Sequence, residues 1–203
     1  MKYWVIGCLS FWSCLAVTLA APLKFDFKDP KGVNNITFKL DAPLEAINGT
    51  ATGISGSVEF DPADPGAVKG KLVVDTKSLH VGNPMMKEHL HSDKWLDVTK
   101  HPAITFTAES TANVKTSDTT TTADLTGTLT IKGVAKKITV PVKLTYLKDK
   151  LKARFPAFNG DLLVLRANFT VKRSEYGINP GQMEEKVSDE IALSLSVAGM
   201  APR

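Results

Sequence analysis

The residues of this chain best suited to chemistry are its four histidines and two of its arginines. His89 and His91 stand two apart in the run Pro84-Met-Met-Lys-Glu-His-Leu-His-Ser-Asp-Lys-Trp-Leu96, with His80 and His101 close by in sequence. A haem or zinc site needs ligands that converge, and zinc takes three or four of them. Residues two apart on a helix point away from each other, and no Glu or Cys completes a recognisable set. Capping or other polar roles are therefore expected for these histidines, with no metal and no cofactor. A haem or metal module remains only as an alternative. Arg166 and Arg173 each carry a fork of donors that suits a diphosphate or a carboxylate. Arg166 sits in an apolar stretch and is expected to pair with Glu175, Asp189 or Glu190 instead. Catalysis finds no support: there is no nucleophile elbow, no HExxH, no P-loop and no dinucleotide fingerprint. Both cysteines, Cys8 and Cys14, lie in the first twenty residues, so the rest has no thiol nucleophile and no disulfide.

Those first twenty residues read as an export signal. Lys2 is the lone charge before an apolar run that ends in Thr18-Leu19-Ala20, with small residues where a signal peptidase cuts. Residues 1–20 are assigned to a cleaved signal, residues 21–203 to a single domain, and the product to the periplasm or the exterior. A retained N-terminal anchor is the rival, since the run is nearly long enough to span a membrane. The formal charge of +4 is spread along the chain. Its strongest basic cluster is Lys132 with Lys136 and Lys137, best read as a solvated turn. A nucleic-acid partner would require a basic stripe with interleaved aromatics, which is missing. The weak positive balance suits transient contact with a membrane surface, and a homodimer is left open.

Period-two alternation dominates the chain from residue 36 to residue 197. It recurs at Ile36–Leu40, Val58–Phe60, Val68–Val74, Ile104–Phe106, Leu125–Ile131, Ile138–Leu144, Ala167–Val171 and Ile191–Val197. Each run buries one face and wets the other, and threonine fills many wet positions. Asn48-Gly49, Asp61-Pro62, Asp64-Pro65-Gly66, Lys132-Gly133 and Asn159-Gly160 read as bends. Thr116–Thr122 reads as a hairpin loop. Pro141 inside a strand pattern marks an edge, a bulge or a bend. Eight short-connected amphipathic strands imply an all-β fold, an eight-stranded antiparallel barrel whose closure covers the apolar face and removes the edges. Strands of about ten residues at ~3.3 Å each, tilted about 40°, give a barrel ~25 Å tall. Pro84–Leu96 breaks the rhythm: Met86, His89 and Leu90 share a helical face, so a short helix followed by a turn forms a flap.

Four stretches, in order, carry a resemblance. Glu88-His-Leu-His-Ser-Asp-Lys-Trp-Leu-Asp-Val-Thr-Lys-His-Pro-Ala-Ile-Thr-Phe106 resembles the signature of the YceI-like polyisoprenoid-binding family. Leu129–Val142, Val171–Ile178 and Val187–Leu193 resemble its later signatures, and Gly56–Pro62 fits its early strand pair. Together they span about residues 34 to 198. The resemblance implies an extended, lipocalin-like barrel, exported, that holds an isoprenoid or other long-chain amphiphile such as a polyprenyl diphosphate, quinone or fatty amide without catalysis. Family members often carry an Arg-Asp pair before Glu-His-Leu, where this chain has Met86-Lys87. That change makes the flap more apolar and adaptable.

Small barrels are often filled by side chains, so the residues alone favour a solid core and a filled-barrel interaction or stress-response protein. The resemblance favours a cavity. On that reading the tail is lined by Phe38, Phe60, Leu72, Val74, Ile104, Phe106, Leu129, Ile131 and Phe169 on the inward faces. Met85, Met86, Leu90 and Trp95 cap it from the flap. Gly70 and Gly127 leave room on those faces, and Arg173 is the head-group candidate that the family motif implies.

Overall fold

The computed structural model describes residues 21–203, so the expected export signal lies outside the described residues. Eleven strands form one antiparallel sheet that closes into a barrel. Three of its eight walls are each built from two strands laid end to end. β1 (Leu23–Asp26) and β2 (Asn35–Asp41) run along one wall. β3 (Ala46–Ala51) and β4 (Ile54–Asp61) run back opposite them, with Ile36 facing Ala51 and Asp26 facing Ser57. β5 (Asp64–Asp75) pairs with β4, and β6 (Leu79–Val81) pairs with β3. The remaining walls are β7 (Ala103–Ser117), β8 (Thr120–Ile131), β9 (Val134–Leu147), β10 (Gly160–Lys172) and β11 (Glu190–Pro202). β11 closes the ring against both β1 and β2, at Asp26 with Met200 and from Asn35 to Lys39 with Ser196 to Ala192.

All eight alternating runs of the sequence fall inside these strands. Several expected bends are corrected. Asn48-Gly49 lies within β3, because the Phe38 ring folds across Gly49 on the neighbouring strand. A Cβ at Gly49 would stand 2.1 Å from Phe38 Cζ. Asp64-Pro65-Gly66 already belongs to β5. The loop expected over Thr116–Thr122 shrinks to Asp118-Thr119, with strand on both sides. Lys132-Gly133 does turn the chain, both residues at positive φ (49° and 78°), as a two-residue hairpin between right-twisted strands requires. Pro141 sits at a local edge: β10 pairs with β9 only from Val142 onward, so Val134–Pro141 has β8 alone.

That divergence of β9 from β10 makes the two ends of the barrel different. At one end β6 pairs only with β3, and β7 begins opposite Asp75. Two segments outside the strands lie here: α1 (Pro84–His91) with its following turn, and the loop after β10. Asn83 caps α1, its Oδ1 accepting the N–H of Met85 and Met86 at 2.9 and 3.2 Å, and Pro84 takes the first turn where no N–H is needed. At the opposite end aromatic side chains close the barrel. Phe25 and Phe27 are fully buried, and the Tyr146 ring lies 6.3 Å from Phe25 and 6.1 Å from Phe60.

The closed end rests on two carboxylates whose side chains are buried. Asp161 accepts hydrogen bonds from Tyr146 Oη (2.8 Å), the Asp149 N–H (2.8 Å) and Arg203 Nη2 (2.6 Å). Asp29 accepts from the N–H groups of Lys31, Val33 and Asn34 and pairs with Arg154 at 2.8 Å, tying the β1–β2 connection to α2 (Leu151–Arg154). Burial works against ionisation of both acids, yet their donors outweigh it and hold both carboxyls below the ordinary carboxylate range. The folded state therefore binds fewer protons than the unfolded chain at acid pH. The stability these groups supply is complete above the unfolded carboxylate pKa of about 4, and is lost as pH falls through the lower folded values. Tyr146 is pushed up to about 12 by burial and then by Asp161, so its share is lost as pH climbs above about 10. Urea midpoints are expected to be flat between these limits and to drop on both sides. Asp161→Asn should shrink the acid drop.

Candidate functional site

The inward faces do not meet across the barrel. They enclose a cavity of about 990 Å³, at the upper end of the range usual for small-molecule sites. Twelve of the thirteen residues expected to meet a tail line it. Phe38, Leu72, Val74, Ile104 and Phe106 come from β2, β5 and β7, and Leu129, Ile131 and Phe169 from β8 and β10. Met85, Met86 and Leu90 of α1, with Trp95 of the following turn, line its open end. Phe60 is the correction. It points inward like the others but sits lower, packed against Tyr146 as part of the plug that closes the barrel, and it does not line the cavity. Alternation reports the face on which a residue lies, not its depth. Gly127 is a further correction. The Phe106 ring covers it, with Cζ only 2.6 Å from where a Cβ would stand, so the space it leaves is filled by protein. Gly70 does border the cavity.

The flap is pinned at several points. His91 Nε2 lies 2.8 Å from the Leu79 carbonyl oxygen, which ties α1 to β6. Ser92 accepts the N–H groups of Trp95 and Asp97 on its carbonyl, forming the turn expected after the helix. Lys132, from the β8–β9 turn, donates to the carbonyls of Asp93 and Lys94 at 3.1 and 3.3 Å. The basic cluster thus includes one lysine that clasps the flap. His89 borders the cavity while His91 bonds a backbone oxygen, so the two do not converge. Among the described residues no group of three or more His, Cys, Asp or Glu is placed to hold a metal ion.

Arg173 has a different role from the one expected of it. It is 1 % exposed, and all five of its guanidinium N–H groups are taken up by backbone carbonyls. Nε donates to Ser188 (3.2 Å), Nη1 to Ile178 (2.9 Å) and Asn179, and Nη2 to Gln182 (2.5 Å) and Val187 (3.1 Å). Its Cζ also lies 5.7 Å from the centre of the Trp95 ring. It therefore organises the loop between β10 and β11 and supports the flap, with no donor left for a head group. Arg166 is corrected too. It is exposed on the outer face of β10 and donates to the carbonyls of Leu165 and Val197 rather than to an acid.

The remaining charges on the lining are Glu45, Asp93, Lys94 and Lys186, all at the open end. Around the same opening Leu44, Met85 and Met183 are 66, 67 and 57 % exposed, and the Leu44 N–H donates to the Glu185 carbonyl at 2.9 Å. One polar group on the lining is not foreseen from the sequence. Tyr176 is buried, borders the cavity, and its hydroxyl has no hydrogen-bond partner. It stands within the stretch Val171–Ile178 that carries the family resemblance, three residues beyond Arg173. Its position was therefore legible although its isolation was not.

Comparison with known proteins agrees with this architecture. The model of the YceI-like domain matches residues 29–198. The UPF0312 protein PA0423 of Pseudomonas aeruginosa is 32% identical over 154 residues, covering 76% of this chain and 74% of its own. The protein YceI of Salmonella arizonae is 30% identical over 154 residues, with the same coverage of 76% and 74%. Among solved structures, Burkholderia cenocepacia BcnA superposes with a TM-score of 0.65 at 23% identity, over 81% of this chain and 95% of its own. A polyisoprenoid binding domain from Saccharophagus degradans, implicated in plant cell wall breakdown, superposes with a TM-score of 0.64 at 14% identity, over 89% and 99%. These last two are similar in fold. With the family model spanning most of the described barrel, the chain belongs to the YceI-like family.

Proposed function

We propose that this protein is an exported, non-catalytic carrier of a long-chain isoprenoid or similar amphiphile, whose tail lies in the barrel and whose polar end stays at the flap. The observation that carries the reading is the apolar cavity of about 990 Å³, bordered at one end by exposed residues and stopped at the other by Phe25, Phe27, Phe60 and Tyr146. Apolar burial is worth roughly 0.8 kcal/mol per CH₂, so a few isoprene units give firm binding even after the cost of ordering the tail. A polyisoprenoid binding domain of the same fold supports this choice of guest. The exposed Leu44, Met85 and Met183 around the opening suit brief contact with a membrane surface during loading, which spares the tail a passage through water.

Trp95 provides the direct test, being the sole tryptophan among the described residues and part of the lining. Titration with a prenyl-tailed quinone is expected to quench its fluorescence to saturation at one guest per chain, and Trp95→Phe should remove that component of the signal. Native mass spectrometry of protein purified gently from its host, followed by lipid extraction, should release the natural guest. A bare mass together with no quenching by prenyl lipids would overturn the carrier reading.

A further inference from the structure

We propose that the outer face of β7–β10 toward the closed end docks on an anionic phospholipid bilayer, through a surface distinct from the opening of the cavity. Pairing register assembles this face from residues far apart in sequence. Lys115 of β7 lies opposite Thr122 of β8, Thr122 opposite Lys143 of β9, and Lys143 opposite Arg166 of β10. Arg166 in turn faces Ser196 of β11, which faces Asn35 of β2. At ~4.8 Å per strand, the three cations fall within roughly 14 Å of one another on one row. All three are exposed, and none forms an ion pair among the described residues. Arg166 commits only Nη1, to the carbonyls of Leu165 and Val197. Like charges directly opposite each other weaken a sheet, so Lys143 beside Arg166 is a cost that the fold itself does not explain.

A second group of cations borders this row. Asn34 bonds both the N–H and the carbonyl of Ala198, at 2.9 and 3.1 Å, which seats the β1–β2 connection beside β11 just beyond Ser196. From that connection Lys31 Nζ donates to the Arg154 carbonyl at 2.5 Å and lies 5.0 Å from the centre of the Phe155 ring. Lys31 is thereby joined to α2, where Lys150 and Lys152 are exposed. The acids nearby are engaged: Asp29 with Arg154, Asp149 and Asp161 with Arg203. One row above the cations, Asp124 accepts from Asn113 Nδ2 at 2.7 Å. Two apolar side chains stand among these charges. Val33, two residues before Asn35, is 59 % exposed, and Phe158, whose N–H donates to the Phe155 carbonyl, is 55 % exposed. A soluble polyanion would answer the cations alone. Phe158 and Val33 decide for a bilayer, which takes up apolar surface and positive charge together, each lysine or arginine adding an attraction that fades within a Debye length.

Sedimentation with vesicles of phosphatidylglycerol and phosphatidylcholine in equal parts tests the assignment, with pure phosphatidylcholine vesicles as the control. Wild type is expected to bind the mixed vesicles, to leave them as salt is raised, and to pass over the neutral ones. Lys143→Gln combined with Arg166→Gln should weaken binding about thirtyfold. The same variant should melt at or above the wild-type temperature, because the opposed charges are gone. Phe158→Ser should weaken vesicle binding about tenfold and leave binding of heparin, a soluble polyanion, unchanged. Equal vesicle affinity in wild type and the double variant, or no binding by wild type, would overturn the docking face. Full vesicle binding by Phe158→Ser, with heparin held as tightly as the vesicles, would replace the bilayer by a soluble polyanion. Lys143 and Arg166 lie on the outer face, so the barrel's uptake of a prenyl lipid should be the same in wild type and variant. An empty barrel would defeat the carrier reading and leave the docking face standing, and loss of vesicle binding alone would do the reverse.

Discussion

Replacing Ala167 by tryptophan is expected to abolish tail binding while leaving the barrel folded. Ala167 lies near the middle of β10, is 5 % exposed and borders the cavity, with Val142 on β9 and Leu195 on β11 as its cross-strand partners. In a close-packed core an indole in place of a methyl would cost about 1–3 kcal/mol in strain. Here the added atoms enter empty space, and their burial offsets much of the strain, so the urea midpoint should change little. The guest suffers instead. Each isoprene unit displaced carries five carbons at roughly 0.8 kcal/mol apiece before the entropy of ordering them is subtracted. Losing even one unit's worth of contact should weaken binding by at least about thirtyfold. Native mass spectrometry with a prenyl lipid reads the result directly. Unchanged occupancy in a folded Ala167→Trp protein would place the guest outside the barrel.

This prediction depends on a property that strand patterning cannot convey. Alternation at Leu125–Ile131 or Ala167–Val171 shows that one face is buried, and eight such faces imply closure. The same pattern describes a solid core and a hollow one, because the difference is volume and not polarity. The family resemblance supplied the hollow reading, and the cavity agrees with it. The elements missed in the sequence were the short ones. β1 has four residues and β6 three, too few for alternation to register. β3 contains Asn48-Gly49, whose local preference for a turn is overridden by the Phe38 ring that needs the space above Gly49. The flap was legible because Pro84–Leu96 breaks the alternation and Met86, His89 and Leu90 share a helical face, whereas the cap that Asn83 supplies was found only in the fold.

The site was legible to different degrees for a related reason. Inward apolar residues can be named from a pattern, and all but Phe60 of those expected at the tail are on the lining. Depth along the barrel axis depends on register, which is fixed by pairing across strands far apart in sequence. Polar roles depend on convergence. Nothing local to Arg173 reveals that carbonyls from residues 178 to 188 would close around it, so the motif suggested a ligand where the fold has a hub.

The consequence for Arg173 is a large stability effect in place of a selective binding effect. Arg173→Met keeps much of the side-chain volume and removes the charge and all five donors. The carbonyls of Ile178 and Val187 then lose bonds in a buried setting, where an unsatisfied acceptor costs on the order of 1–3 kcal/mol. Contacts that act as a unit do not add, so a total loss of about 4 kcal/mol is expected. Arg173→Lys should recover little of it, because an ammonium has three donors on a point charge and cannot span five carbonyls held around a planar fork. The cation–π contact of the guanidinium with Trp95 would also be lost, loosening the flap. Urea unfolding separates the two roles for this residue. A head-group ligand would tolerate Arg173→Met with unchanged stability and weaker binding of anionic probes. A hub for the loop would lose stability in Arg173→Met and Arg173→Lys alike, and any loss of binding would extend equally to the hydrocarbon chain. The bonds already made by its five N–H groups require the second result, because each of them must be broken before Arg173 can meet a ligand.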